Sequence, residues 1–150
     1  MDTRGFTLIE LMVVIGLISL LAVLVAIPLL DTVATYSLRN ATQQVSSDIR
    51  TAAQRAMTEH NNFYLQFYTA GNYYEIVDDS DNSGTFTMGD TRTLKYPPRA
   101  VTISAVNLSS DPLSFRPNGT VSASGTITLA NTKGASNVVR VSSGGMISIQ

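Results

Sequence analysis

The residues whose types and spacing best suit chemistry lie in one acidic stretch, Asp79-Ser80-Asp81-Asn82-Ser83-Gly84, which is followed by Asp90. Counted from Asp79, oxygen-bearing side chains occupy positions 1, 3 and 5, glycine occupies position 6, and a carboxylate occupies position 12. An EF-hand calcium loop has this spacing, because oxygen ligands surround the ion and the glycine permits a sharp turn. Asp79, Asp81, Ser83 and Asp90 are therefore candidate calcium ligands.

The acidic stretch also departs from the calcium pattern. Ser83 stands where aspartate or asparagine is usual, and Asp90 stands where a longer glutamate is usual. Because Asp, Asn, Ser and Gly are ordinary turn formers, the alternative is a solvated acidic turn without metal. No cofactor other than calcium is predicted.

Composition excludes most other site chemistry. The chain has 150 residues, no cysteine and a single histidine, His60. Disulfides, cysteine zinc sites, thiol nucleophiles and multi-histidine metal sites are therefore ruled out. The sequence also lacks a G-x-S-x-G nucleophile motif, and its length allows one ordinary domain with a modest core. We expect a protein that is not an enzyme.

Glu10 is the second residue whose position indicates function, because an uncharged run begins directly after it. Residues 11–30 read LMVVIGLISLLAVLVAIPLL, and as a helix they rise about 30 Å, the thickness of a bilayer's hydrocarbon core. A buried core helix and a cleaved secretory signal peptide are the alternatives, but the run is long and lacks a small-residue cleavage site at its far end. Arg4 before it and Asp31 after it favour a cytoplasmic N-terminus.

The elements that follow are predicted from two changes of period. After Asp31, apolar residues recur every three or four positions, so one helix from about residue 7 to about residue 59 fits both segments. Beyond it the pattern alternates as in strands with one buried face. The apolar helix positions are Leu38, Ala41, Val45, Ile49, Ala52, Ala53 and Ala56, and the candidate strands are 63–68, 72–77, 91–96, 100–106, 113–115, 126–130, 138–142 and 146–149.

The predicted fold class is α+β. A long N-terminal helix, transmembrane in its first half and amphipathic in its second half, packs on a C-terminal antiparallel β-rich domain.

Residues 5–14, GFTLIELMVV, resemble the class III signal of type IV pilins and type II secretion pseudopilins. The resemblance implies that a prepilin peptidase cuts between Gly5 and Phe6 and that the new Phe6 amine is N-methylated. It also implies that Glu10 pairs with the N-terminal ammonium of a neighbouring subunit in a filament, where an unpaired charge is costly. Pro28 resembles the helix proline of these proteins, which permits a kink.

This processing divides the chain into four parts. They are a cleaved leader (1–5), a transmembrane helix (6–30), an amphipathic continuation of the helix (31–60) and a β-rich periplasmic domain (61–150). We expect a single-pass inner-membrane protein with a cytoplasmic N-terminus, which enters a filament after processing.

Three later segments resemble the GspH/FimT-type minor pilins and pseudopilins. They are Phe115-Arg116-Pro117-Asn118-Gly119, Gly125-Thr126-Ile127-Thr128-Leu129 and Gly145-Met146-Ile147-Ser148-Ile149. The resemblance implies a subunit at the tip or initiation complex of a type II secretion pseudopilus or, alternatively, of a type IV pilus. Its implied partners are other minor pilins or pseudopilins, the prepilin peptidase and the inner-membrane assembly platform.

DNA binding is the function that the resemblance leaves in question. DNA-binding FimT-like proteins carry a Gly-Arg-x-Arg element in the final hairpin, whereas the corresponding positions here are Gly145-Met146-Ile147-Ser148. The formal net charge is −1, and DNA affinity is built from several phosphate contacts. We therefore expect weak or no DNA binding. A minor pilin for DNA uptake and a membrane-anchored binding module without a filament are the rival functions.

Overall fold

The structure, a computed structural model, describes residues 6–81, 83–85 and 87–150, without the side chains of residues 23–31. The chain forms two compact units, Met1–Val33 and Ala34–Gln150. One helix, α1, runs through Leu8–Glu59, and eight strands follow it. The predicted α+β fold class is confirmed.

The helix begins and ends within one residue of the predicted positions. His60, the last residue of the predicted helical segment 31–60, lies just beyond the helix and is exposed. Its φ of 58° is the left-handed conformation that commonly terminates helices. Among the described residues, no helical segment has both the length and the apolar character that a membrane crossing requires.

All eight predicted strands are present, and each end lies within two residues of its prediction. The strands are β1 (Phe63–Tyr68), β2 (Tyr73–Asp78), β3 (Thr91–Lys95), β4 (Val101–Leu108), β5 (Leu113–Phe115), β6 (Gly125–Asn131), β7 (Ser136–Val141) and β8 (Ile147–Ile149). They form two four-stranded sheets with the orders β3-β2-β1-β5 and β4-β6-β7-β8. All the pairings between these strands are antiparallel.

The core of the second unit is built from one face of α1 and the inner faces of both sheets. The helix contributes small and branched side chains at the predicted spacing, which lets the strands approach closely. Ala53 is the predicted helix position that is only partly buried. The buried helix residues are Leu38, Ala41, Val45, Ile49, Ala52 and Ala56, and the largest buried sheet residues include Tyr74, Phe63, Phe115, Leu65, Leu113, Ile127 and Leu129.

The side chain of Asn72 ties the two sheets together. Asn72 lies in the turn between β1 and β2, and its Nδ2 donates to the carbonyl oxygen of Val101 at 3.0 Å. Its Oδ1 accepts from the backbone N–H of Ile103 at 2.9 Å. Both partners belong to β4, so one amide side chain fixes the first sheet's hairpin against an edge strand of the second sheet.

A partly buried hydrogen bond joins the helix to the first sheet. The hydroxyl of Tyr74 donates to Asp48 Oδ2 at 2.6 Å, and Tyr74 is only 1% exposed. Burial, together with the hydrogen bond to Asp48, raises the pKa of Tyr74 far above its ordinary value. The hydroxyl therefore stays protonated and donating at every physiological pH.

We expect Tyr74→Phe to lower the free energy of unfolding by about 1–3 kcal/mol, because the Asp48 carboxylate then loses its donor in a partly buried position. Tyr36→Phe is the control, since Tyr36 is 62% exposed. Urea unfolding of the full chain in detergent, followed by circular dichroism, measures both changes. Equal stabilities for the two variants would contradict the assignment.

Gly125 is required where β6 begins beside β4. A methyl group added at Gly125 would overlap the carbonyl oxygen of Asn107 and would lie 2.8 Å from the Cα atom of Leu108. Both obstructing atoms belong to the backbone, so no side-chain rotation can relieve the contact. The glycine is thus set by the close approach of two strands.

We expect Gly125→Ala to lower the free energy of unfolding by about 3 kcal/mol, because β4 and β6 must separate to admit the methyl group. Gly144→Ala is the matched control, because the nearest atom to its added methyl group is Ser142 Oγ at 3.9 Å. The same urea titration is used. A Gly125→Ala protein as stable as Gly144→Ala would show that the strands have room for a side chain.

Candidate functional site

Reciprocal hydrogen bonds between Thr7 and Glu10 close the N-terminus of α1. Glu10 Oε2 accepts from the backbone N–H of Thr7 and from Thr7 Oγ1, both at 2.9 Å. In return, Thr7 Oγ1 accepts from the backbone N–H of Glu10 at 3.3 Å. Thr7 directly precedes the first helical residue and Glu10 is the third, so the pair forms a capping box that satisfies two otherwise unpaired helix donors.

The sequence contains the signal for this cap, T-x-x-E before an apolar run, although capping is not among the roles predicted for Glu10. The proposed role of Glu10 in assembly concerns a second subunit and stays a prediction. Of the other predicted N-terminal sites, Phe6 is 90% exposed at the start of the described chain. Gly5 and the side chain of Pro28 lie outside the described residues.

The first part of α1 is apolar around its whole circumference. Every described side chain of residues 6–22 is exposed. Leu20 and Leu21 are exposed to 62% and 60%, although successive residues of a helix point about 100° apart. The apolar surface is therefore continuous around the helix rather than confined to one face. Such a surface is typical of helices that are surrounded by lipid or by other helices.

The acidic stretch forms the loop between β2 and β3. One carboxylate oxygen from each of Asp79, Asp81 and Asp90 lies within 4.8 Å of the other two. Asp79 is fully buried and Asp90 is 7% exposed, whereas Asp81 is exposed. The structure thus brings together three of the four predicted ligands, and it places them between strands instead of the helices that flank an EF-hand.

Hydrogen bonds from the loop and from Asn62 orient the Asp79 carboxylate. Asp79 Oδ1 accepts from the backbone N–H of Ser83 at 3.0 Å, and Ser83 Oγ lies 3.5 Å from the same oxygen. Asp79 Oδ2 accepts from Asn62 Nδ2 at 3.0 Å and from the backbone N–H of Gly84 at 2.9 Å. Ser83, the fourth predicted ligand, therefore lies beside the Asp79 carboxylate.

The other two carboxylates share Thr87 as a donor. Asp81 Oδ2 accepts from Thr87 Oγ1 at 3.2 Å, and Asp90 Oδ2 accepts from the backbone N–H of Thr87 at 2.7 Å. Asp81 Oδ1 accepts from the backbone N–H of Ser83 at 3.0 Å. Hydrogen bonds from Ser83 lower the pKa of Asp81, so its carboxylate is ionised at neutral pH. Thr87 was not among the predicted residues, because its role depends on how the loop folds.

The terminal hairpin, formed by β7 and β8, carries little positive charge at the positions that matter for DNA. Met146 occupies the place of the first arginine of the Gly-Arg-x-Arg element and is 77% exposed. Arg140 is exposed on β7. Arg50 of the helix donates through Nη2 to the carbonyl oxygen of Ile147 at 3.2 Å. DNA affinity is built from several phosphate contacts, so weak or no DNA binding stays our prediction for this hairpin.

Two family models match the sequence. The model described as "Type II transport protein GspH" matches residues 41–145. The model described as "Prokaryotic N-terminal methylation motif" matches residues 1–26. The first match covers α1 from residue 41 onward and all of β1 to β7, and the second covers the predicted processing site. No curated protein sequence matches the chain.

The fold is similar to that of a solved minor pseudopilin, EpsH from the type 2 secretion system of Vibrio cholerae. The superposition has a TM-score of 0.60 and covers 76% of this chain and 96% of the solved chain. The sequence identity is 8%, so this likeness concerns the fold.

Proposed function

We propose a function from one premise: the chain belongs to the GspH family of type II transport proteins. It acts as a minor pseudopilin, a structural subunit that joins a type II secretion pseudopilus through α1 and supports protein secretion. Its place is the tip or initiation complex of that filament, where its neighbours are other minor pseudopilins. The family assignment favours this function over the alternative of a type IV pilus.

The observation that carries the proposal is the continuous apolar surface of residues 6–22. A helix exposed in this way needs a partner on every side. Inner-membrane lipid supplies it before assembly, and the helices of neighbouring subunits supply it in the filament. The second half of α1 is not exposed around its whole circumference, because one of its faces packs in the core of the second unit.

Glu10 then has a different partner in each state. In the free subunit, its carboxylate is held by Thr7 at the helix N-terminus. After cleavage between Gly5 and Phe6, each subunit also carries a positively charged, N-methylated amine at Phe6. In a bundle of apolar helices, an ion pair between the Glu10 carboxylate and a neighbour's amine offsets the cost of burying both charges. Such a pair favours one axial register between subunits.

Two substitutions separate the capping role of Glu10 from its charge. Glu10→Gln removes the charge but retains a side chain that can complete a capping box. Thr7→Ala removes the capping hydroxyl and leaves the charge. We expect Glu10→Gln to reduce incorporation into pseudopili by roughly tenfold or more, and Thr7→Ala to remain within about twofold of wild type, since a charged pair contributes more than a cap.

Incorporation is measured by the amount of this chain that co-purifies with sheared pseudopili, and secretion of an exported enzyme is scored in parallel. Membrane levels of both variants are compared by immunoblot. The opposite order, with Glu10→Gln assembling normally and Thr7→Ala failing, would contradict the ion-pair role and leave capping as the function of Glu10.

Processing is tested directly on chain extracted from inner membranes. We expect mass spectrometry to find an N-methylated Phe6 terminus, with the prepilin peptidase as the enzyme responsible and the assembly platform as the next partner. Cells that lack the peptidase are the control and should retain the leader. An uncut chain from wild-type cells that still enters filaments would contradict the proposed route.

A further inference from the structure

The loop between β2 and β3 concentrates negative charge in three acidic side chains, two of which are buried. Asp79, Asp81 and Asp90 each place a carboxylate oxygen within 4.8 Å of the other two, and two of these side chains are at least nine-tenths buried. Like charges at this distance repel more strongly in the protein interior than in water. An arrangement of this kind needs a compensating positive charge or a shared proton.

Asp90 supplies a second and independent observation. Its Oδ2 accepts from the backbone N–H of Thr87, but its buried Oδ1 has no hydrogen-bond partner among the described residues. A buried carboxylate oxygen without a partner is costly and calls for an explanation. Among the described residues, the other buried side-chain oxygen that lacks a hydrogen bond is Glu75 Oε2, and it lies 3.6 Å from the cationic Arg92 Nη1.

We propose that the carboxylates of Asp79, Asp81 and Asp90 bind a calcium ion, with the Ser83 hydroxyl as a further oxygen ligand. This inference goes beyond the proposed function and does not rest on it. The proposed ligands are all oxygens, the class that calcium prefers, and they keep the 1, 3, 5 and 12 spacing of a calcium loop. Gly84, at the turn position 6, adopts a φ of 74°, which suits glycine.

The surrounding groups are placed to orient the ligands. Asn62 Nδ2 and the backbone N–H of Gly84 both donate to Asp79 Oδ2, and Thr87 holds Asp81 and Asp90. Arg92 Nη2 donates to the carbonyl oxygen of Thr87 at 2.7 Å, which anchors that residue from β3. Such outer contacts fix ligand orientation in metal sites.

Calcium at this position would hold the two ends of the β2–β3 loop together. Asp79 directly follows β2 and Asp90 directly precedes β3, so one ion would link the two ends of the connection. The loop between them carries Met88, which is 96% exposed. Binding would therefore order an exposed connection and stabilise the β2–β3 edge of the first sheet.

The test uses the full chain in detergent micelles, treated with EDTA and then titrated with CaCl₂ in a calorimeter. We expect one ion per chain with a Kd between roughly 10⁻⁵ and 10⁻³ M, the range of regulatory and extracellular calcium loops. The melting temperature should rise by about 5 °C at a calcium concentration near ten times the Kd. MgCl₂ should give a much smaller response, because Mg²⁺ demands octahedral geometry and retains its waters.

Three variants make the outcome specific. Asp81→Asn changes an exposed ligand and should abolish the calcium-dependent rise without unfolding the protein. Asp90→Asn should abolish it too, and it should also raise the melting temperature of the metal-free protein, since it removes a repelling charge. Asp78→Asn is the matched control, because Asp78 pairs with Arg55 and Asn61 outside the cluster, and it should bind calcium like wild type.

A wild-type chain with neither heat of binding nor a melting shift at 10 mM CaCl₂ (about tenfold above the weakest expected Kd) would overturn the proposal. So would unchanged binding by Asp81→Asn and Asp90→Asn, or loss of binding by Asp78→Asn. An equal response to MgCl₂ would overturn the assignment to calcium.

Discussion

The packing of one face of α1 against two sheets is the interaction on which the second unit depends. Helix residues from Leu38 to Ala56 supply part of the same buried cluster that contains Phe63, Phe115 and Ile127. Without the helix, the apolar inner faces of the two sheets would be exposed to water, because a four-stranded sheet needs a partner layer to bury its apolar side. The helix is therefore a component of the β-rich unit's core and not a tether attached to it. The exposed apolar segment of residues 6–22 is therefore continuous in the chain with the helical segment that holds the second unit together.

The sequence was most informative where structure is set by local pattern. The strand ends were predicted to within two residues because Gly, Pro, Asn and Ser lie between the short alternating segments. The end of the helix was predicted because the apolar period changes after residue 59. Strand order could not be predicted in this way. β5 pairs with β1 across the intervening strands β2, β3 and β4, and no local period encodes such a pairing. The links made by Asn72 and by Tyr74 with Asp48 are equally invisible, since each joins residues distant in sequence.

The acidic loop shows the same division between local and long-range information. The residue types and spacing of Asp79, Asp81, Ser83 and Asp90 could be read directly, and the structure brings them together. Their burial could not be read, because it depends on how the loop folds back between β2 and β3. Burial nevertheless decides between a solvated acidic turn and a calcium site. An exposed acidic turn needs no ion, whereas a buried carboxylate oxygen without a donor is costly and favours a bound cation.

Charge is scarce in this chain, at 14% of residues, and several of its ion pairs serve identifiable structural purposes. Arg55 bridges Glu59 at the end of the helix and Asp78 at the end of β2, and it also lies 4.6 Å over the ring of Phe63. Hydrogen bonds donated by Arg55 lower the pKa of Glu59, so the helix end is held by charges that persist at neutral pH.

The carboxylates with incomplete or exchangeable partners are the informative ones for function. Glu10 is satisfied locally by Thr7, so another subunit must offer a stronger partner than a cap to displace that arrangement. Asp90 Oδ2 accepts from Thr87, but Asp90 Oδ1 has no hydrogen-bond partner among the described residues, and the proposed calcium ion supplies one. The two proposed sites thus differ in mechanism: the proposed assembly at Glu10 requires an exchange of partners, whereas the proposed calcium binding at Asp90 completes the hydrogen-bonding and charge requirements of a buried carboxylate.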